Sequence, residues 1–313
     1  MGKRKYAGTP YDDVFRSLVV DHKQLLLAFI NEMFSNLGER YQGDEEVINL
    51  SEIVYINRQD GEQDKRIVDS AIAVISHDGT RRVFHLECQS SDDNSMMIRM
   101  IEYDTQIAIR HNRELSDGNI RIRMPESGIL YLRSTDKTPD IMGITIEVPG
   151  NRSVSYEMPV VKLKSYDVDS IFEKELYLLI PFYLFNLEDL FDQITDGDEQ
   201  AKAELRGQIT DLYERLKERT DEGQIDEYTK ASIINLSKKV MNALTRSYGA
   251  VRKEVDHIMG TLRREALSQS IQIHPQPIGF LATIHPCPFQ SIQILKLMSA
   301  LSRLMLLSDS CGY

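Results

Sequence analysis

The sequence predicts an α/β or α+β domain followed by a helical extension. Two observations carry this prediction. Segments rich in β-branched and large apolar residues follow a first helical pattern and lie on both sides of a second one, and the charged residues 198–264 have helical spacing throughout. A chain of 313 residues can bury one sizeable core and add a second, helical unit.

The first half of the chain alternates helix and strand signals. Apolar residues recur at helical spacing from Asp12 to about Leu37, which predicts the first helix. Residues 47–56 predict a first strand and residues 69–89 predict a β-hairpin. A second helix is predicted from Asn94 to about Arg113.

Further strands are predicted after the second helix, at residues 129–132, 141–148 and 153–163. Asp169 is the predicted N-cap of a helix that runs through Phe185 and is kinked or broken near Pro181, because proline cannot donate the helical hydrogen bond. These signals divide the chain into a basic arm, a core, a helical extension and a tail, at residues 1–9, 10–185, 186–265 and 266–313.

The tail has an unusual composition. Only three residues from Ala266 to Tyr313 are charged, and four of the ten prolines fall there. Two interpretations remain open. The tail is either a frameshifted or out-of-frame end that does not belong to the fold, or an apolar segment that packs on the domain or on a partner.

The predicted hairpin carries one acid on each strand. Gly79 can end a three-residue loop in the left-handed conformation, which pairs Ser76 with Thr80. In that register Asp69 lies directly opposite Glu87, on one face of the sheet. A two-residue turn at residues 78–79 is the alternative, and it places Asp69 opposite the next residue, Cys88.

Two carboxylates one strand apart, on strands that are otherwise apolar, would repel each other. A divalent cation between Asp69 and Glu87 would remove that conflict. Gln89 shares their face because side chains alternate along a strand. The alternative is that Asp69 begins its strand at a solvated edge and binds no metal.

Composition narrows the classes of function. The net charge of −11 excludes a general polyanion binder, so a nucleic-acid site requires a local basic patch. Four arginines supply such a run, although charge runs are usually solvated surface: Arg110, Arg113, Arg121 and Arg123. Three histidines are interpreted as turn, strand and surface residues rather than ligands, namely His77, His85 and His111.

The compartment is predicted from what the chain lacks. The three cysteines show neither metal-ligand spacing nor a disulfide framework, which favours a reducing cytoplasm. The basic N-terminus is not followed by an apolar run, so it is not a signal peptide, and no segment is long and apolar enough to span a membrane. The sequence leaves open whether the protein forms a homo-oligomer.

Four short motifs follow one another within residues 10–110. They are an Asp-x-x-Phe-basic helix motif (Asp12, Phe15, Arg16), a strand acid (Asp69), a Glu-x-Gln on the next strand (Glu87, Gln89) and an Arg-x-x-x-Tyr on the following helix (Arg99, Tyr103). In order and spacing the chain resembles the PD-(D/E)XK nuclease superfamily, and more narrowly the bacterial recombination-promoting nuclease or putative transposase family. The resemblance implies a restriction-endonuclease-like core over residues 10–185, with a mixed central sheet flanked by helices.

The implied activity is hydrolysis of DNA phosphodiester bonds with Mg²⁺ or Mn²⁺. By the same resemblance Asp69 and Glu87 bind the metal, and the carbonyl of Cys88 is a further oxygen ligand. Gln89 stands where the superfamily name has lysine. Glutamine is neutral and can only hydrogen-bond, although the narrower family also has Glu-x-Gln here.

Other site residues have two interpretations each. Asp12 either reaches the metal through a water or is an N-terminal helix acid favoured by the macrodipole, and Asp13 is the adjacent alternative. Arg99 either contacts a phosphate, ordered by Tyr103 four residues on, or is a solvated arginine packed on the tyrosine ring. Arg16 is assigned to phosphate binding by the resemblance.

Two other functions remain alternatives. One is a catalytically inactive DNA-binding or interaction protein, such as a decayed transposon remnant, which the neutral Gln89 and the unusual tail favour. The other is an RNase H-like transposase with three acids, which would need its first acid on a central strand, whereas Asp12 is predicted to be helical.

Overall fold

The computed structural model describes residues 9–50, 53–57, 63–67, 70–90 and 95–272. By its internal contacts the chain divides into two units, Met1–Ala266 and Leu267–Tyr313. The fold described below belongs to the first unit, and only the last helix continues past its end.

Helices and strands are mixed in the described residues up to Lys162, and only helices follow. The helices are α1 (Pro10–Asp21), α2 (Lys23–Met33), α3 (Met96–His111), α4 (Val168–Glu173), α5 (Phe191–Thr195), α6 (Glu199–Asp221), α7 (Glu227–Leu244) and α8 (Gly249–Gln272). The strands are β1 (Glu46–Asn49), β2 (Ile53–Asn57), β3 (Gln63–Ile67), β4 (Ser70–Ile75), β5 (Arg81–Gln89), β6 (Arg113–Ser116), β7 (Asn119–Ile122), β8 (Glu126–Tyr131), β9 (Ile141–Val148) and β10 (Arg152–Lys162). Three 3₁₀ helices run over Ser35–Leu37, Leu163–Ser165 and Tyr177–Leu190.

A mixed six-stranded sheet organises the domain, in the order β1-β4-β5-β8-β10-β9. The strands β5, β8 and β10 run parallel, while β4 is antiparallel to β1 and β5, and β9 is antiparallel to β10. Helix α3 connects β5 to the parallel strand β8, as a crossover connection requires. The predicted fold class, an α/β domain with a mixed central sheet and a helical C-terminal region, is confirmed.

The two faces of the sheet are covered by different helices. On one face, side chains of β4, β5 and β8 join the large apolar core formed with α1, α2 and the long 3₁₀ helix. On the other face, α3 packs against two smaller apolar clusters. Gly128 lies where α2 approaches β8 closely, because a Cβ there would overlap the Met33 sulfur.

The predicted hairpin has the predicted register. Strands β4 and β5 pair Ser70 with Leu86, and the Ser76 N–H donates to the Thr80 carbonyl across 2.9 Å. Gly79 has φ of +83°, the left-handed conformation that the three-residue loop needs. The alternative two-residue turn is therefore wrong.

The predicted helix Asp12–Leu37 is wrong as one continuous element. His22 divides it into α1 and α2 with φ of −130° and ψ of 68°, outside the helical region. The His22 ring packs 5.5 Å from the ring of Tyr228 on α7. This contact comes from distant sequence, so the local apolar spacing did not indicate the break.

The single strand predicted at residues 47–56 is also wrong. The chain forms β1 in the main sheet and then β2, which pairs with β3 in a separate two-stranded sheet. The polar sequence of β3, Gln-Asp-Lys-Arg-Ile, carries no strand signal, which is why this hairpin was not predicted. Strand β6 was missed in the same way.

The helix predicted from Asp169 to Phe185 needs correction. Asp167 is the N-cap, accepting from the Ser170 N–H, and α4 ends at Glu173. Glu175 then takes a left-handed φ of 58°, and Pro181 lies inside the 3₁₀ helix that follows. The predictions of the second helix and of the three later strands agree with α3, β8, β9 and β10.

The helical extension packs directly on the sheet domain. Helix α7 lies against the long 3₁₀ helix and α1, and residues of α6, α7 and α8 belong to the same apolar core as α1 and α2. Among the described residues, no helix is long and apolar enough to cross a bilayer. The composition-based hypotheses for the tail fall mostly on residues 273–313, which lie outside the described residues; residues 266–272 complete α8.

Candidate active site

The last residues of β5 bring together most of the predicted site. Glu87 and Gln89 lie on the face of β5 that α3 covers, and Cys88 between them turns its side chain into the apolar core on the opposite face. Asp69 lies outside the described residues. The described register ends at the neighbouring residue, Ser70, which pairs with Leu86. The predicted pairing of Asp69 with Glu87 lies beyond it.

Glu87 is a buried carboxylate, with only 3% of its surface exposed. Its Oε1 lies 3.1 Å from Nε2 of His85, two residues earlier on the same face of β5. A charged carboxylate is stable in such a place only when it is paired and hydrogen-bonded. The imidazole supplies this pairing.

His85 is completely buried between two carboxylates. Its Nδ1 lies 2.6 Å from Oδ1 of Asp104 on α3, which is completely buried as well. Burial lowers the pKa of His85, but the hydrogen bonds and negative charges of Asp104 and Glu87 outweigh burial and raise its pKa to about 10. The ring is therefore an imidazolium at neutral pH.

Asp104 is held from two other strands. The Ser127 hydroxyl of β8 donates to Asp104 Oδ1 across 2.7 Å, and the Tyr156 hydroxyl of β10 donates to Oδ2 across 3.2 Å. Burial, with the charge and hydrogen bond of Asp104, raises the pKa of Tyr156, so this tyrosine keeps its proton for the bond. A continuous polar network thus runs beneath α3 from β10 to Glu87.

The two residues of the predicted motif on α3, Arg99 and Tyr103, contact different residues of β5. Arg99 donates from its Nη2 to Oε1 of Gln89 across 3.1 Å. Tyr103 is almost fully buried, and its ring packs edge-on against the His85 imidazole with 5.9 Å between ring centres. Arg99 therefore contacts the strand glutamine, while Tyr103 encloses the buried histidine.

The contact with Arg99 orients the Gln89 amide. A guanidinium has donors only, so the side-chain oxygen of Gln89 must face Arg99 and its NH₂ group must point away. Gln89 consequently presents a fixed hydrogen-bond donor beside Glu87.

Asp12 is both a helix acid and a neighbour of the site. It closes a capping box on α1, where the Thr9 N–H donates across 2.6 Å and the Thr9 hydroxyl across 2.8 Å. Burial raises the pKa of Asp12; the Thr9 hydrogen bonds oppose this effect, the charge of Glu87 adds to it, and Arg16 opposes it. Asp13, the alternative, is exposed and pairs with Arg16 at 3.3 Å.

Sequence reasoning missed the network behind Glu87. It placed His85 correctly in a strand but gave it no role, and it did not single out Asp104, Ser127 or Tyr156. The available signal was a polar residue at every second position of β5, from His85 to Gln89, in a strand that is apolar at the positions between.

A second acidic group lies at the other end of β5. Asp44, Glu45 and His77 have ligand atoms within 4.8 Å of one another. Glu45 already accepts the backbone N–H groups of Gln42 and Gly43, at 2.7 and 2.9 Å, so turn formation accounts for its burial.

The predicted basic run is spread over two elements. Arg110 lies in the last turn of α3, and Arg113 and Arg121 lie on the exposed β6–β7 ribbon, which Arg123 directly follows. Arg123 pairs with Glu114 across the ribbon, so part of this positive charge is neutralised locally.

The donor set at the end of β5 suits a hard divalent cation. Glu87 and Asp12 offer carboxylate oxygens that are partly or fully withdrawn from water, and the charge of Glu87 acts on Asp12. Mg²⁺ and Mn²⁺ prefer such oxygen ligands and retain several waters. The described residues therefore fit the cation that the sequence resemblance implies.

A scan against protein-family models and searches of curated proteins and of solved structures found no match to this chain.

Proposed function

We propose that the protein is a Mg²⁺- or Mn²⁺-dependent DNA endonuclease whose active site lies at the end of β5. One observation carries the proposal: Glu87 is a buried carboxylate, held by a buried histidine and adjacent to an arginine-oriented glutamine. Buried ionisable groups arranged around one point are typical of functional sites.

The fold supports the proposal through the order of its elements. An N-terminal helical layer precedes the antiparallel strands β1, β4 and β5, and these precede the crossover helix α3 and the parallel strand β8. The β2–β3 hairpin is inserted after β1, and the β6–β7 ribbon is inserted after α3. This order agrees with the restriction-endonuclease-like core that the four sequence motifs imply.

Glu87 and Asp69 are the proposed metal ligands, with the carbonyl of Cys88 as a third oxygen and Asp12 acting through a water. A bound divalent cation lowers the pKa of a coordinated water and offsets the charge that develops on the phosphate. The protein's contribution is a fixed, partly dry carboxylate that needs no reorganisation when the substrate arrives.

Gln89 takes the position of the superfamily lysine. With its oxygen bound to Arg99, its NH₂ group can donate to a water or to a phosphate oxygen. Arg99 itself supplies the positive charge that glutamine lacks, so the pair combines an oriented donor with a nearby cation. Arg16 and the arginines near the β6–β7 ribbon are proposed to contact the DNA backbone.

We place the protein in a reducing cytoplasm. The proposal rests on the cysteine pattern of the sequence; Cys88 is buried in the apolar core, and the other two cysteines, Cys287 and Cys311, lie outside the described residues.

The test is nicking of supercoiled plasmid with Mg²⁺ or Mn²⁺ by the full chain and by its Asp69→Asn and Glu87→Gln forms. Both substitutions keep the size of the side chain and remove its charge. We expect cleavage that requires metal and is lost in both variants.

Other outcomes would reject the proposal. A folded wild-type protein that does not cleave would favour the alternative function, a DNA-binding protein without catalysis. Cleavage that survives both substitutions would place the active site elsewhere. Asp44→Asn is the matched control, because this exposed acid lies at the opposite end of β5 and should leave cleavage unchanged.

A further inference from the structure

Glu87 is connected to a residue that none of the four motifs contains. His85 lies on the same face of β5 and contacts Glu87 through Nε2 and Asp104 through Nδ1, at 3.1 and 2.6 Å. At least 97% of the surface of each of these three residues is buried. Water cannot replace any of these contacts.

The two contacts hold the His85 ring at both of its nitrogens, and each nitrogen lies within hydrogen-bond distance of a buried carboxylate oxygen. The contact at Nε2 fixes the rotation of the Glu87 carboxylate, and the contact with Asp104 fixes the orientation of the ring.

Asp104 makes this arrangement rigid. It is bound by Ser127 of β8 and Tyr156 of β10, so the network joins α3 to two strands of the sheet in addition to β5.

A purely stabilising role accounts poorly for this arrangement. Burying two acidic side chains and a histidine together carries a desolvation penalty, and apolar side chains of similar volume often stabilise as well or better. The network ends on one side at Tyr156, which is partly exposed, and on the other side at Glu87, which lies beside Gln89 at the end of β5.

We propose that His85, anchored by Asp104, is a positioning residue that holds the Glu87 carboxylate in the orientation that binds the divalent cation. This inference rests on the proposed function. It assigns a metal-directed role to two residues outside the sequence motifs.

The experiment measures Mn²⁺ binding to the full chain by isothermal titration calorimetry without DNA, so that it does not depend on catalysis. We expect His85→Phe to weaken Mn²⁺ binding about 10- to 100-fold, as the loss of a residue that orients a metal ligand does elsewhere. His85→Gln should recover part of the affinity, because its amide can still donate to Glu87. His22→Phe is the matched control, since this buried histidine packs against Tyr228 instead.

Unchanged affinity in a folded His85→Phe protein overturns the proposal. If that variant does not fold, Asp104→Asn decides, since it keeps the size of the anchor and removes its charge; an unchanged affinity there overturns the proposal too.

Failure of the proposed function has a different signature. A wild-type protein that binds no Mn²⁺ rejects the metal site, and ¹⁵N NMR of the His85 ring then tests the positioning role by itself. Ring ¹⁵N resonances that shift in Glu87→Gln support the contact between His85 and Glu87, and ring resonances that do not change in Glu87→Gln overturn the positioning role.

Discussion

Strand β5 has two faces that are equally buried and chemically opposite. Phe84, Leu86 and Cys88 enter the apolar core that α1 and α2 cover. His85 and Glu87, at the alternate positions, lie under α3 and form a charged network. The same nine-residue strand therefore carries the centre of the core on one face and the candidate active site on the other.

The difference between the faces shows where the fold gains stability and where it is constrained by chemistry. Burial of apolar area contributes about 25 cal/mol per Å², whereas a buried charge must be compensated by partners. The face under α1 and α2 requires only apolar side chains whose shapes fit together. The face under α3 needs specific partners on three other elements, and this requirement distinguishes the proposed functional face from the apolar one.

The largest expected effect is on the apolar face. Phe84 is completely buried, with the rings of Phe34 and Tyr41 at 5.2 and 6.0 Å, so Phe84→Ala leaves a cavity. We expect the free energy of unfolding to fall by about 3–5 kcal/mol. Urea denaturation followed by circular dichroism measures it.

Phe84→Ala also tests whether Mn²⁺ binding on one face of β5 depends on packing on the other face. The Mn²⁺ affinity of the folded variant should equal that of the wild type, because the side chain points away from Glu87. If Phe84→Ala loses much of its Mn²⁺ affinity as well as its stability, the two faces of β5 are mechanically coupled and do not act independently.

The second expected effect is a pH dependence of stability on the polar face. The pKa of His85 rises from 6.5 to about 10 on folding. Its contribution is complete below pH 6.5, where both states carry the proton. Between those values the folded state binds the extra proton, so stability should fall by up to about 1.4 kcal/mol per pH unit as the pH rises.

Urea midpoints measured without metal test this expectation. The measurements run from pH 6 to pH 10, a range that spans the ordinary and the raised pKa of His85. Glu87, Asp104 and the ring of Tyr103 are the groups that face the imidazole. His85→Gln should flatten the profile, since glutamine does not titrate. A wild-type profile as flat as that of the variant would mean that the ring is neutral in the folded protein.

The sequence predicts the local geometry of this strand well. Gly79 and the alternation of apolar residues are enough to give the hairpin and its register, because both act over a few residues. The same reasoning places Glu87 and Gln89 on one face. The contact of Arg99 with Gln89 was not predicted, since the motif spacing gives a shared helix face but not the partner.

What the sequence does not reveal depends on packing between distant segments. Asp104 reaches His85 only because α3 lies across β5, and Tyr156 joins them from a strand 52 residues later. The ring contact of His22, the residue at the helix break, likewise involves a distant residue, Tyr228. The alternation along β5 indicates that His85 lies on the face of Glu87, but no local pattern distinguishes its partners Asp104, Ser127 and Tyr156 from solvated polar residues.

The smallest expected effect concerns Asp12, which tests whether the site is confined to one face. This acid lies on α1, the helix that packs on the apolar face, yet the charge of Glu87 acts on it. Asp12→Ala removes both Thr9 bonds of the capping box and should lower the free energy of unfolding by about 1 kcal/mol. Asp12→Asn keeps an acceptor for the Thr9 N–H and removes the charge, so it should retain most of that stability.

We expect both variants to weaken Mn²⁺ binding in calorimetry, because a water-mediated ligand contributes charge rather than shape. If Asp12→Asn binds Mn²⁺ as the wild type does, Asp12 is a helix cap only, and the site belongs entirely to the face under α3.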